Sequence, residues 1–146
     1  MFPDKIYSDE MTKTKRILVI DDEATALDLL RRILENEGYE VFLAGNGAEG
    51  IKLFRSQPCD LVITDMVMPV KDGLQTILDL RKEAPDLPFI AISGGGTISK
   101  ERYLTVAGYL DKVVTIAKPF AVGDILAAVA DLLREENPPA NDPAVV

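Results

Sequence analysis

Five polar residues have the types that phosphorus chemistry requires: Asp21, Asp22, Asp65, Ser93 and Lys118. Each closes a short apolar run: Ile17–Ile20 before Asp21-Asp22, Leu61–Thr64 before Asp65, Phe89–Ile92 before Ser93, and Val113–Ala117 before Lys118. Three carboxylates brought close repel one another, and desolvation adds to that cost. A divalent cation relieves both, and all-oxygen ligation suits Mg²⁺, which keeps several waters for an incoming phosphate. A carboxylate can also act as a covalent nucleophile toward phosphorus. Lys118 can neutralise charge on a bound phosphoryl group, and Ser93 can donate a hydrogen bond to one of its oxygens. The set reads as phosphoryl acceptance on an aspartate.

What the chain lacks narrows the alternatives. Its 146 residues include no histidine and one cysteine, Cys59. Without histidine there is no Ser-His or Cys-His nucleophilic pair and no imidazole ligand for zinc. One cysteine excludes an internal disulfide and a cysteine metal cluster. Sixteen basic against twenty-four acidic residues give a net charge of −8, which disfavours a nucleic-acid backbone or an anionic membrane surface. The apolar runs are strand-sized, far below a membrane span, and Met1-Phe-Pro-Asp-Lys5 lacks the pattern of a signal peptide. The expectation is a cytoplasmic protein with no nucleic-acid or membrane partner.

The five residues need a scaffold that brings strand ends together. Residues 1–14 read as a loose N-terminal arm, 15–136 as one domain, and 137–146, with three of the nine prolines, as a flexible tail. Within the domain, the four apolar runs and Val41–Ala44 predict five strands. Helices are predicted from about Ala24 to the stop at Gly38 (Leu27, Leu30, Leu34 on one stripe), over Ala48–Phe54, over Gly73–Ala84 (Leu74, Ile77, Leu78, Arg81), weakly over Ser99–Ala107, and over Val122–Arg134 (Ile125, Val129, Leu132). This is (βα)5 in the α/β class. Strands of near-continuous apolar sequence are buried on both faces, so a doubly wound five-stranded parallel sheet between helix layers is expected. Ligands of such sheets bind outside the carboxyl ends of the strands, where the five residues lie.

Four segments in this order, Ile17-Leu-Val-Ile-Asp-Asp-Glu23, Leu61-Val-Ile-Thr-Asp-Met-Val-Met-Pro-Val-Lys-Asp-Gly73, Ser93 and Lys118-Pro-Phe120, resemble the receiver domain of two-component response regulators over roughly residues 15–136. The resemblance implies the flavodoxin-like strand order 2-1-3-4-5. It also implies Asp65 as phosphoacceptor, with Mg²⁺ bound by Asp22, Asp65 and the backbone carbonyl of Val67, and by Asp21 through water. Ser93 takes the hydroxyl switch position, Lys118 the family's lysine position, and Lys118-Pro119 its cis peptide. The donor would be a phosphohistidine on a histidine kinase or a histidine phosphotransfer protein, and the module itself would not be an enzyme. Two positions depart from the family. Thr115 stands where an aromatic residue is usual, three residues before the lysine, and Ser93 to Lys118 is a few residues longer, with three glycines. Signalling is therefore expected to run through reshaping of Gly94–Tyr109.

Each feature has a plainer reading. Asp21-Asp22 alone suits a helix N-cap, and Ser93 a turn. Gly94–Gly96 is a weak match to a phosphate cradle, since no helix with Gly-Lys-Ser/Thr follows it, and reads as a hinge. Cys59 is expected to be a small structural residue, and Tyr103, Leu104 and Tyr109 to pack a helix. A phosphohydrolase of the haloacid dehalogenase kind would want an aspartate at Val67 and a cap domain. A receiver-like docking module that works without phosphorylation is the alternative. With only the proline-rich tail after the last helix, the expectation is a stand-alone receiver, monomer or weak dimer. It would serve as phosphorelay shuttle, phosphate sink or docking regulator, with its protein target on the face of the fourth helix, fifth strand and last helix.

Overall fold

The computed structural model describes residues 14–66, 68, 72–94 and 111–134. The elements run β1 (Arg16–Ile20), α1 (Ala24–Asn36), β2 (Glu40–Ala44), α2 (Gly47–Ser56), β3 (Leu61–Asp65), α3 (Gly73–Glu83), β4 (Phe89–Gly94), β5 (Val113–Lys118) and α4 (Val122–Leu133). Every strand pairing is parallel, and the sheet order is β2-β1-β3-β4-β5. This is the doubly wound α/β sheet expected from the apolar runs. The helix expected over Ser99–Ala107, with Tyr103, Leu104 and Tyr109, lies outside the described residues, as do Val67, Gly95, Gly96, most of the N-terminal arm and the whole tail.

Strand alternation sorts the core into two halves. Leu18, Ile20, Val62, Phe89 and Ala91 pack with Ile51 of α2 and with Ile77 and Leu80 of α3. Ile17, Val19, Leu61, Ile63, Ile90 and Ile92 pack with Leu30 and Leu34 of α1 and with Ile125 and Val129 of α4. Each fully buried Leu or Ile contributes roughly 1.5–3 kcal/mol relative to an exposed one. No helix among the described residues is long and apolar enough to cross a membrane.

Local chemistry sets the helix ends. The Asn46 side chain accepts from the Glu49 N–H, so α2 begins at Gly47, one residue before the apolar pattern suggests. The Asp72 side chain accepts from the Gln75 N–H and starts α3 beside the end of β3. α1 stops because Gly38 adopts φ +95, which lets the Gly38 and Tyr39 N–H groups reach back to Glu35 and Leu34.

One helix stripe differs from expectation. Leu78 is 40% exposed, whereas Thr76 is fully buried. The buried row of α3 is Gly73, Thr76, Ile77, Leu80 and Arg81, and Leu78 lies one step round the helix from Ile77. Thr76 is accommodated because its hydroxyl donates to Asp72 O at 2.8 Å.

Candidate functional site

Asp21 continues β1 beyond Ile20, on the face of Ile17 and Val19. Asp65 ends β3, on the face of Leu61 and Ile63. Lys118 ends β5, on the face of Val114 and Ile116. By period two, all three lie on one side of the sheet at its carboxyl end. Asp21 and Asp65 are 2% and 6% exposed, and their carboxylate oxygens lie with one from the exposed Asp22 within 4.8 Å of one another. Lys118 Nζ stands 3.5 Å from Asp65 Oδ1 and 4.0 Å from Asp21 Oδ2. Burial is therefore tolerated because an ammonium sits against two of three carboxylates.

The electrostatics show the imbalance left over. Burial raises the Asp65 carboxyl above its ordinary value of 3.8; Lys118 pulls it down and Asp22 pushes it up. Asp21 is raised as well, again first by burial, and eased by the Glu23 N–H that donates to Asp21 Oδ1 at 2.9 Å. Three carboxylates against one ammonium leave negative charge that a cation would offset. All-oxygen donors suit a hard divalent ion, so Asp21, Asp22 and Asp65 fit a site for such a cation.

The register places Ser93 on β4, one residue past the Asp65–Ile92 pair and opposite Ala117. Val67, whose carbonyl the family resemblance adds to the metal set, lies outside the described residues. Lys118-Pro119 is cis, as expected. Cys59 is half-buried beside the first core half, and burial pushes its thiol up to about 12, consistent with a structural role. Thr115 is exposed on β5. Two contributors escaped the sequence reading. The Thr64 hydroxyl donates to Asp65 O at 3.0 Å. Gly73 packs so close that a Cβ there would lie 2.5 Å from the same oxygen. The available signals were a hydroxyl inside an apolar strand and a glycine opening a helix.

A family model described as the response regulator receiver domain matches residues 17–130. The chain belongs to this family. Receiver domains are signalling modules of two-component systems and accept phosphate from histidine kinases. Response regulator MprA of Mycolicibacterium vanbaalenii is 37% identical over 123 residues, 84% of this chain and 52% of its own, so this chain spans about half the length of that relative. A CheY-like receiver domain protein from Methanospirillum hungatei superposes with TM-score 0.76 at 29% identity, covering 85% of this chain and 97% of its own. TrrA of Thermotoga maritima, solved in complex with Mg²⁺ and BeF, matches at TM-score 0.70 and 37% identity, covering 82% of this chain and all of its own.

Proposed function

We propose that this receiver domain accepts a phosphoryl group on Asp65 in an Mg²⁺-dependent reaction and passes that state to a protein partner. The observation that carries the reading is the meeting of three carboxylates within 4.8 Å, with Lys118 3.5 Å from Asp65. The solved Mg²⁺ and BeF complex of TrrA supports it by likeness.

In this reading the donor is a phosphohistidine of a histidine kinase or a phosphotransfer protein. The 146 residues contain no histidine, so the donor imidazole comes from outside them. An Asp65 carboxylate oxygen attacks phosphorus in line, the P–O bond forms as the P–N bond breaks, and the electron pair stays on the ring nitrogen. Asp21, Asp22 and Asp65 would hold Mg²⁺, which supplies charge neutralisation at the phosphoryl oxygens when bound. Lys118 leaves its place between Asp21 and Asp65 to pair with the new negative group. Ser93 donates its hydroxyl to a phosphoryl oxygen, which biases a two-state equilibrium of the domain. The target docks on the face that includes β5 and α4.

Intact mass after incubation with acetyl phosphate and Mg²⁺ tests the reading. A phosphoryl adduct that needs Mg²⁺ and vanishes in Asp65→Asn is expected. No adduct with acetyl phosphate or with a phosphorylated histidine kinase would favour docking without phosphorylation.

A further inference from the structure

The peptide group of Asp65 is fixed by its surroundings as firmly as its side chain is. The β1–β3 ladder ends at the pair Ile20–Thr64, and Asp21 and Asp65 lie one residue past it. There the Thr64 hydroxyl, with no solvent exposure, donates to the Asp65 main-chain oxygen at 3.0 Å. On the far side, the Met66 N–H donates to Ile92 O at 3.0 Å and the Gly73 N–H to Met66 O at 3.1 Å. Gly73 itself stands against the Asp65 oxygen. A buried hydroxyl is costly unless bonded, and here its acceptor is the carbonyl of the phosphoacceptor. Rotating the Asp65–Met66 peptide would swing the Asp65 carboxylate relative to Asp21, Asp22 and Lys118.

We infer that Thr64 is a positioning residue for phosphorylation: its hydroxyl holds the Asp65–Met66 peptide plane so that the Asp65 carboxylate meets the incoming phosphorus. This rests on the reading of Asp65 as acceptor. Thr64 is as fully buried as Leu61, Val62 and Ile63, so a variant that keeps its buried volume and removes only the hydroxyl separates positioning from packing.

The test measures acetyl phosphate labelling against donor concentration, with Mg²⁺, for wild type, Thr64→Val, Thr64→Ala, Thr64→Ser and Asp65→Asn, each at a temperature where urea unfolding shows it folded. Thr64→Val keeps the branch at Cβ; Thr64→Ala puts no methyl against the Asp65 oxygen. Both should lower the maximal labelling rate by about five- to tenfold, the factor one neutral hydrogen bond represents, with half-saturation unchanged. Thr64→Ser should recover most of the rate. Hydroxyl-free variants that label at the wild-type maximal rate overturn the inference, as does a serine variant as slow as the valine. A wild type that takes no label overturns the acceptor reading and the inference together.

Discussion

Replacing Gly73 by alanine probes how tightly α3 is set against the end of β3. The new Cβ would lie 2.5 Å from Asp65 O, 2.7 Å from Met66 Cα and 2.8 Å from Met66 Sδ. The thioether can swing away, but the other two atoms are the main chain that carries Asp65. Overpacking of this kind costs about 1–3 kcal/mol, against a gain of at most ~1 kcal/mol from replacing a helical glycine. The net expectation is a loss of roughly 1–2 kcal/mol. Gly123, in the first turn of α4, has nothing within 4 Å of a built Cβ, so Gly123→Ala should gain about 0.5 kcal/mol. At Gly50 the atoms in the way are the end of the Ile20 side chain, which can rotate, and Gly50→Ala should fall between the two. Urea unfolding at neutral pH measures all three. At roughly 4 °C per kcal/mol for a domain of this size, Gly73→Ala and Gly123→Ala should move the melting temperature in opposite directions. Gly73→Ala should also slow acetyl phosphate labelling while still folded. Shifts of the same sign, or wild-type labelling by Gly73→Ala, would refute the close approach.

Asp65→Asn should raise metal-free stability at pH 7 by on the order of 1 kcal/mol. Its folded carboxyl is raised above 3.8, so the folded state binds the proton more tightly and the charge weakens it as pH climbs from about 4 through the raised value. The advantage of the mutant should therefore vanish below pH ~4, as thermal melts across pH will show; a mutant that melts lower than wild type at pH 7 contradicts it. Adding Mg²⁺ should raise the wild-type melting temperature more than that of Asp65→Asn, and equal shifts would argue against a shared carboxylate site. Arg81→Met should cost about 2–4 kcal/mol by leaving two carbonyls without their donor, since the buried Arg81 donates to Leu87 O at 2.7 Å and to Asp111 O; urea unfolding checks this. The Cys59 thiol, pushed up to about 12, should react with a disulfide reagent only as the domain unfolds, and rapid labelling of the native protein would disprove its protection.

β1, β3 and β4 were legible because burial on both faces leaves little room for polar residues, so each run ends at a polar residue. That made Asp21, Asp22, Asp65 and Ser93 visible as strand-end residues before any geometry was known. α3 was less legible. Its segment offers more apolar residues than one face can hold, and the choice of Thr76 over Leu78 depends on the hydroxyl finding Asp72 O. Arg81 sits at helical spacing with apolar residues, yet its burial is explained by Phe89, whose ring centroid lies 5.5 Å away, and by carbonyls that only the fold delivers. Thr64 reads as one more β-branched strand residue, since what sets it apart is the neighbour to which it donates.

The alternation that divides the core also divides four of the five strand-end residues. Asp21, Asp65 and Lys118 share parity with the half of the core packed by α1 and α4, whereas Ser93 follows Phe89 and Ala91 into the half packed by α2 and α3. The sheet is thus a partition with one doorway at its carboxyl edge. A group bound at that edge would meet Lys118 of β5 from one side and Ser93 of β4 from the other. Substitutions in α1 and α4 can therefore alter the surroundings of Asp21, Asp65 and Lys118 without touching the layer that backs Ser93.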